Sequence, residues 1–248
     1  MRVTQRHNSN MKKMKVFILT TLLLIGATAA GAQERELETT VSADVVSQYI
    51  WRGQDLGNVS LQPTLGLEYK GLSLSAWGSV GLTDSNDTKE LDLTLSYTIG
   101  GFNIGVTDYW TNDGLDPENR YFKYDTHGTN HLFEANIGYD FGLASLQWYT
   151  NFAGNDGENK DGKRAYSSYA EVSVPFNLYG IDWTATAGVV PFATTSYSTT
   201  GFAVTNLSLM ATKEIKVTDS FSIPLFGQIV GNPCSQKAYL VFGFTLCP

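Results

Sequence analysis

The sequence predicts an all-β fold, a transmembrane antiparallel up-and-down β-barrel of about 12 strands. Three observations carry that expectation. Apolar and polar residues alternate with period two along most of the chain, the alternating segments are mostly 10–12 residues long, and their connections alternate between tight turns and longer polar loops. Among regular structures only a strand sends successive side chains to opposite faces. A strand tilted by about 45° needs roughly 9–11 residues to cross a bilayer, whereas ordinary sheet strands average about five or six.

The first element stands apart from the fold. Lys12, Lys13 and Lys15 precede an apolar stretch from Val16 to Ala27, and Ala30-Gly31-Ala32 supplies a small-x-small cleavage site. These are the parts of a secretory signal peptide, so residues 1–32 are expected to be signal and 33–248 barrel. Read instead as a membrane anchor, the run falls short of the roughly 17–25 residues that span a bilayer. Cleavage removes five of the 17 basic residues and no acidic one, leaving 12 basic against 24 acidic and moving the formal charge from −7 to −12. Such an excess repels nucleic acid at long range.

The strands expected next are 41–52, 60–70, 72–82, 89–99, 102–111, 130–140, 143–153, 165–175, 181–191, 201–211, 221–230 and 238–247. In the second, Leu61, Pro63, Leu65, Leu67 and Tyr69 share one face; Gln62, Thr64, Gly66, Glu68 and Lys70 share the other. In the fourth, Leu91, Leu93, Leu95, Tyr97 and Ile99 oppose Asp92, Thr94, Ser96 and Thr98. Tight connections follow even strands, as at Lys70-Gly71, Gly100-Gly101, Phe141-Gly142 and the short 176–180, while 84–89, 112–129 and 154–164 follow odd ones. The stretch 212–220 is longer than its place requires, so the strand count is least constrained there, with 10 or 14 as alternatives. Short periplasmic turns, longer external loops and an even strand count describe outer-membrane barrels.

A secreted β-sandwich or lipocalin-like barrel would also alternate. Aromatics favour the membrane: Tyr49, Trp51, Tyr69, Tyr97, Trp110, Tyr139, Phe141, Phe152, Tyr166 and Phe176 lie within three residues of an expected strand end, where rings form girdles at headgroup level. A closed barrel also satisfies every backbone group inside lipid. The expected location is the outer membrane of a Gram-negative bacterium, with outer-membrane lipid and the barrel-assembly machinery as partners.

Residues 41–82 carry a further signal. Ser47-x-Tyr49-x-Trp51-Arg52-Gly53, then Gln62 and Gly66-Leu67-Glu68-Tyr69, then Ala76-Trp77-Gly78 resembles a family of outer-membrane porins of unassigned role, whose members begin with a strand of the form S-x-Y-x-[FW]-R-G. The resemblance covers about a fifth of the chain after the signal and implies an outer-membrane barrel of porin type without catalytic residues. The chain departs from the usual outer-membrane ending on an aromatic, closing with Leu246-Cys247-Pro248.

Candidate chemistry is sparse. His127 and His131 are the histidines outside the signal; an enzyme would need one of them beside a nucleophile and an orienting group. His131 and Glu134 are three positions apart on one expected strand and so point to opposite faces. His131 is expected to be a water-facing loop residue, and the protein is not expected to be an enzyme. No cofactor or metal motif is present; 155–162 lacks the spacing of a calcium loop, and the acidic loops are expected to be simply solvated. Cys234 and Cys247 are expected at opposite ends of the last strand, too far apart to bridge.

Charged residues on the polar face are the lumen-facing candidates: Glu68, Lys70, Asp92, Glu134, Glu171 and Asp182. Acidic rings in a pore favour cations, and Arg52 at the outer end of the first strand could pair with one of them. Twelve strands lie between eight, which side chains fill, and sixteen, which leave a channel, so both a narrow pore and a plugged barrel, with Trp77, Tyr109 and Tyr169 filling space, are open. The expected function is a narrow passive channel for small solutes with mild cation preference. The alternatives are a non-conducting barrel whose loops bind a surface partner or glycan, and, third, a lipid-modifying barrel enzyme.

Overall fold

A computed structural model of the chain describes residues 37–84, 86–112, 116–125, 128–219 and 221–247. The signal peptide expected over 1–32, His127 and Asp113 lie outside these residues. The described chain holds 14 strands: β1 (Glu38–Val46), β2 (Tyr49–Trp51), β3 (Gln54–Gly57), β4 (Ser60–Tyr69), β5 (Leu72–Gly81), β6 (Glu90–Ile99), β7 (Phe102–Thr111), β8 (His131–Asp140), β9 (Ser145–Gly154), β10 (Ser168–Leu178), β11 (Ile181–Val190), β12 (Ala203–Lys216), β13 (Ser222–Asn232) and β14 (Lys237–Leu246). Twelve of them, β1 and β4–β14, form a closed barrel in which each strand pairs antiparallel with its neighbours. Closure comes from β1 against β14, with Ala43 opposite Leu246 and Val46 opposite Gly243.

Most sequence boundaries hold within two or three residues, and the differences are local. Around 212–220 the alternation fades because Lys213, Glu214 and Lys216 are all exposed, yet the backbone ladder continues, pairing Lys213 with Leu225 and Ile215 with Ile223. β12 therefore runs to Lys216, and the Val217 and Thr218 amides both donate to the Phe221 carbonyl to close a short turn. The connections at this end of the barrel are thus all short. At Lys70-Gly71, Gly100-Gly101 and Tyr179-Gly180 both turn residues have positive φ, the type I′ geometry that matches strand twist in two-residue hairpins.

The first strand is the larger correction. It stops at Val46 rather than reaching residue 52, where the Ser47 amide donates to the Phe242 carbonyl and the Phe242 amide donates to Ser47 Oγ. Residues 49–57 then form a separate two-stranded hairpin, β2–β3, with Trp51 opposite Gln54. Period-two alternation cannot distinguish one strand from two joined by a tight turn. Arg52 (φ 49°) and Gly53 (φ 80°) make that turn, again with two positive φ values.

The wall is inverted relative to a soluble protein. Leu61, Leu65, Leu67, Leu74, Leu95 and Ile104 are exposed on the outside, while Ser42, Gln62, Thr64, Ser79, Asn103 and Thr245 are buried within. Tyr69, Tyr97, Tyr139, Phe141 and Phe176 are exposed at the short-turn end, and Phe152, Tyr166, Phe192 and Phe202 toward the other. Tyr49 and Trp51 do not belong with them: they sit on the hairpin and pack against inward side chains. No described helix is long and apolar enough to cross a membrane.

Candidate functional site: the hairpin inside the barrel

The hairpin enters the barrel from the long-loop rim and touches the inner wall around its circumference. On one side the Tyr49 ring lies 5.5 Å from that of Trp77, and its hydroxyl donates to Glu90 Oε2 at 2.8 Å. On the opposite side Ile50 joins an apolar cluster with Val46, Met210, Phe226, Val230 and Val241. The base is tied to the β5–β6 loop by Asn58 Nδ2, which donates to Asp87 Oδ1 at 2.9 Å. At the tip, Asn232 Nδ2 donates to the Gly53 carbonyl at 2.9 Å. A Cβ on Gly53 would stand 1.8 Å from the Thr205 carbonyl oxygen, so close approach and positive φ both require glycine here.

Arg52, first in the turn, projects from the tip into an aromatic and acidic seat. Its two terminal nitrogens donate to both oxygens of Glu134, at 2.6 and 2.8 Å, and one also donates to the Tyr197 hydroxyl at 2.8 Å. The guanidinium carbon lies 4.3, 4.0 and 4.8 Å from the ring centres of Trp51, Tyr149 and Tyr169. Tyr109 completes the carboxylate, donating to Glu134 Oε1 at 2.9 Å. Tyr197 comes from the β11–β12 loop, where a 3-10 turn over Thr195–Tyr197 is capped by the Thr194 side chain. That loop is braced from the β9–β10 loop, since Asp156 accepts from Asn151 Nδ2, the Gly157 and Ser167 amides and Ser196 Oγ.

Bidentate geometry and the ring faces offset the desolvation cost of burying this ion pair. Arg52 and Glu134 are almost fully buried, and a buried pair deprived of one partner leaves a charge without compensation, at a cost of about 3–5 kcal/mol. An isolated two-stranded hairpin is marginal in water; this one, with strands of three and four residues, keeps its shape through docking.

The sequence candidates separate into two groups. Asp92, Glu134 and Glu171 are buried at the level of the hairpin. Among the described residues Asp92 Oδ1 and Glu171 Oε1 have no hydrogen-bond partner, while Glu171 Oε2 accepts from the Tyr169 hydroxyl at 2.9 Å. Glu68 is half-buried nearer the short turns. Lys70 occupies a turn with its Nζ 5.0 Å from the Tyr69 ring centre, and exposed Asp182 accepts from Asn177 Nδ2. The motif residues Tyr49, Trp51, Arg52 and Gly53 all belong to the hairpin. Sequence reasoning anticipated a carboxylate partner for Arg52 but missed the aromatic seat, whose tyrosines come from β9, β10 and a loop. Between the hairpin and β11–β13 lies a cavity of about 30 Å³, lined by Ile50, Arg52, Asn206 and Gln228 among others, room for about one water.

His131 differs from expectation. It is fully buried, because residues 116–125 of the β7–β8 loop fold over it: its ring stacks on Tyr124, Nδ1 pairs with Asp108 Oδ1 at 2.7 Å, and Nε2 meets the Tyr121 carbonyl. One ring nitrogen thus meets the neighbouring strand β7 and the other meets the loop. Cys234 and Cys247 are unbridged on either side of β14, and no cluster of three metal-ligating side chains occurs among the described residues.

No protein-family model matches the chain, and no curated protein matches it. Among solved structures, CdiB from Acinetobacter baumannii is similar at 12% identity and a TM-score of 0.40, over 85% of this chain and 59% of that one. The chain thus spans about three-fifths of CdiB. The COG4313 outer membrane channel from Pseudomonas putida F1 is similar at 13% identity and a TM-score of 0.40, over 88% of this chain and 98% of that one.

Proposed function

We propose that the protein is a β-barrel of a Gram-negative outer membrane, exported through a signal peptide at 1–32 and inserted by the assembly machinery. In this reading it is a narrow passive channel for small solutes that prefers cations and rests closed. The observation that carries the proposal is that a hairpin separate from the wall docks inside the barrel, its tip held by the Arg52–Glu134 pair and by Asn232. Apolar side chains outside suit lipid, and polar ones inside suit water. Ser73, Ser75, Thr94 and Ser96 on the β5–β6 wall keep part of their surface accessible. Asp44, Asp92, Glu134 and Glu171 are buried inside with Arg52, and among the described residues this excess of carboxylates would bias the lumen toward cations. Catalysis is not part of this reading, since the ring nitrogens of His131 are both occupied.

Planar-bilayer recording tests it. Openings are expected to be rare in the wild type and frequent in Arg52→Ala, with a cation-selective reversal potential that moves toward zero in Arg52→Ala combined with Asp92→Asn and Glu171→Gln. Silence of both wild type and Arg52→Ala, from protein that migrates as a folded barrel before heating, overturns the channel reading. The second reading, a non-conducting barrel whose loops bind a surface partner or glycan, would then stand, supported by the hydrogen bonds that hold the β9–β10 and β11–β12 loops together.

A further inference from the structure

The seat that receives Arg52 belongs almost entirely to the barrel. Glu134 stands on β8, Tyr149 on β9, Tyr169 and Glu171 on β10 and Tyr197 on the β11–β12 loop; Trp51 alone travels with the arginine. With the hairpin tip withdrawn, what remains is one carboxylate aimed at a planar fork, two tyrosine faces, and a phenol oxygen at hydrogen-bond distance. A second carboxylate, Glu171, lies beside them, only 2% exposed, with Oε1 lacking a hydrogen-bond partner among the described residues. An enclosure of that composition fits a flat, weakly hydrated, delocalised cation. Guanidinium matches a carboxylate with two parallel donors and stacks on aromatic faces, whereas a small inorganic ion would give up a tight hydration shell for ring faces. A neutral isostere would leave the buried carboxylates uncompensated.

We propose that this seat is a binding site for small organic cations of the guanidinium class, that Arg52 is its built-in occupant, and that such a cation in solution competes with the hairpin tip and so admits itself to the lumen. The inference deepens the channel reading by naming the solute class, while the binding step itself does not depend on conduction. The hairpin becomes a tethered pseudo-ligand: its release and the occupancy of the site by solute are the same event.

Arg52 also supplies the test, because trypsin cleaves after arginine only where the chain can leave its seat. In wild-type protein in detergent, millimolar methylguanidinium is expected to speed cleavage after Arg52 several-fold, while methylurea and sodium chloride at equal concentration leave it unchanged. In Arg52→Ala, which empties the seat, methylguanidinium is expected to raise the unfolding midpoint by several degrees, and the gain is expected to vanish in Arg52→Ala/Glu134→Gln. Equal effects of methylguanidinium and sodium on both readouts, or an undiminished gain in the double variant, overturn the site. Should Arg52→Ala not fold, the cleavage assay on the wild type decides alone. If the variant conducts potassium but methylguanidinium neither stabilises nor blocks it, the channel stands and the site falls. If it binds methylguanidinium without conducting, the site stands and the channel falls.

Discussion

Arg52 and Gly53 fill the two positions of one turn and do opposite things there. Arginine carries charge across the lumen to Glu134, and glycine lets the backbone press against β12. Both accept positive φ, which costs glycine little and other residues more. Gly53→Ala should therefore undock the tip without removing any charge, since its Cβ would overlap the Thr205 carbonyl. The expected outcome is faster tryptic cleavage after Arg52 with the ion-pairing residues intact; an unchanged cleavage rate would show that the tip has room to spare. His131 illustrates how a residue can mislead at this scale. Nothing in its neighbours along the chain marks it as buried, because the side chains that cover it, Tyr121 and Tyr124, stand on the preceding loop.

At the scale of elements, the barrel strands were legible because outward and inward residues differ in kind and alternate without much interruption. The hairpin was not, because its residues continue the same alternation while occupying a different place. A signal was nevertheless present: Arg52-Gly53 repeats the residue-glycine pattern of Lys70-Gly71 and Tyr179-Gly180, and all three form the same turn. The seat could not be read locally, since Arg52 and Glu134 are 82 positions apart and meet only once the barrel closes. Val46 and Ser60 are direct partners across the β1–β4 ladder, so the hairpin between them is an insertion the wall does not need. Replacing residues 47–59 with a short glycine-containing turn should leave a barrel that still migrates as a folded species before heating. Loss of that species would show that the hairpin is needed to build the wall rather than merely occupying it.

For the whole molecule, the low charge content has a spatial meaning. At 17% of residues, charge is below the roughly 25% usual for soluble domains because half of each barrel strand presents apolar side chains outward, leaving charge to the loops, turns and interior. Inside, the carboxylates Asp44, Asp92, Glu134 and Glu171 are buried with Arg52, and that arginine sits on the hairpin rather than on the wall. In the proposed channel, closure and cation preference would therefore be properties of the same few side chains. The most direct test is to record the hairpin-replaced barrel beside the wild type in planar bilayers, at one voltage and one salt gradient. A steady, cation-selective conductance from the former and a mostly closed trace from the latter are the predicted result; a folded but silent hairpin-replaced barrel, or equal steady conductance from both, would contradict it.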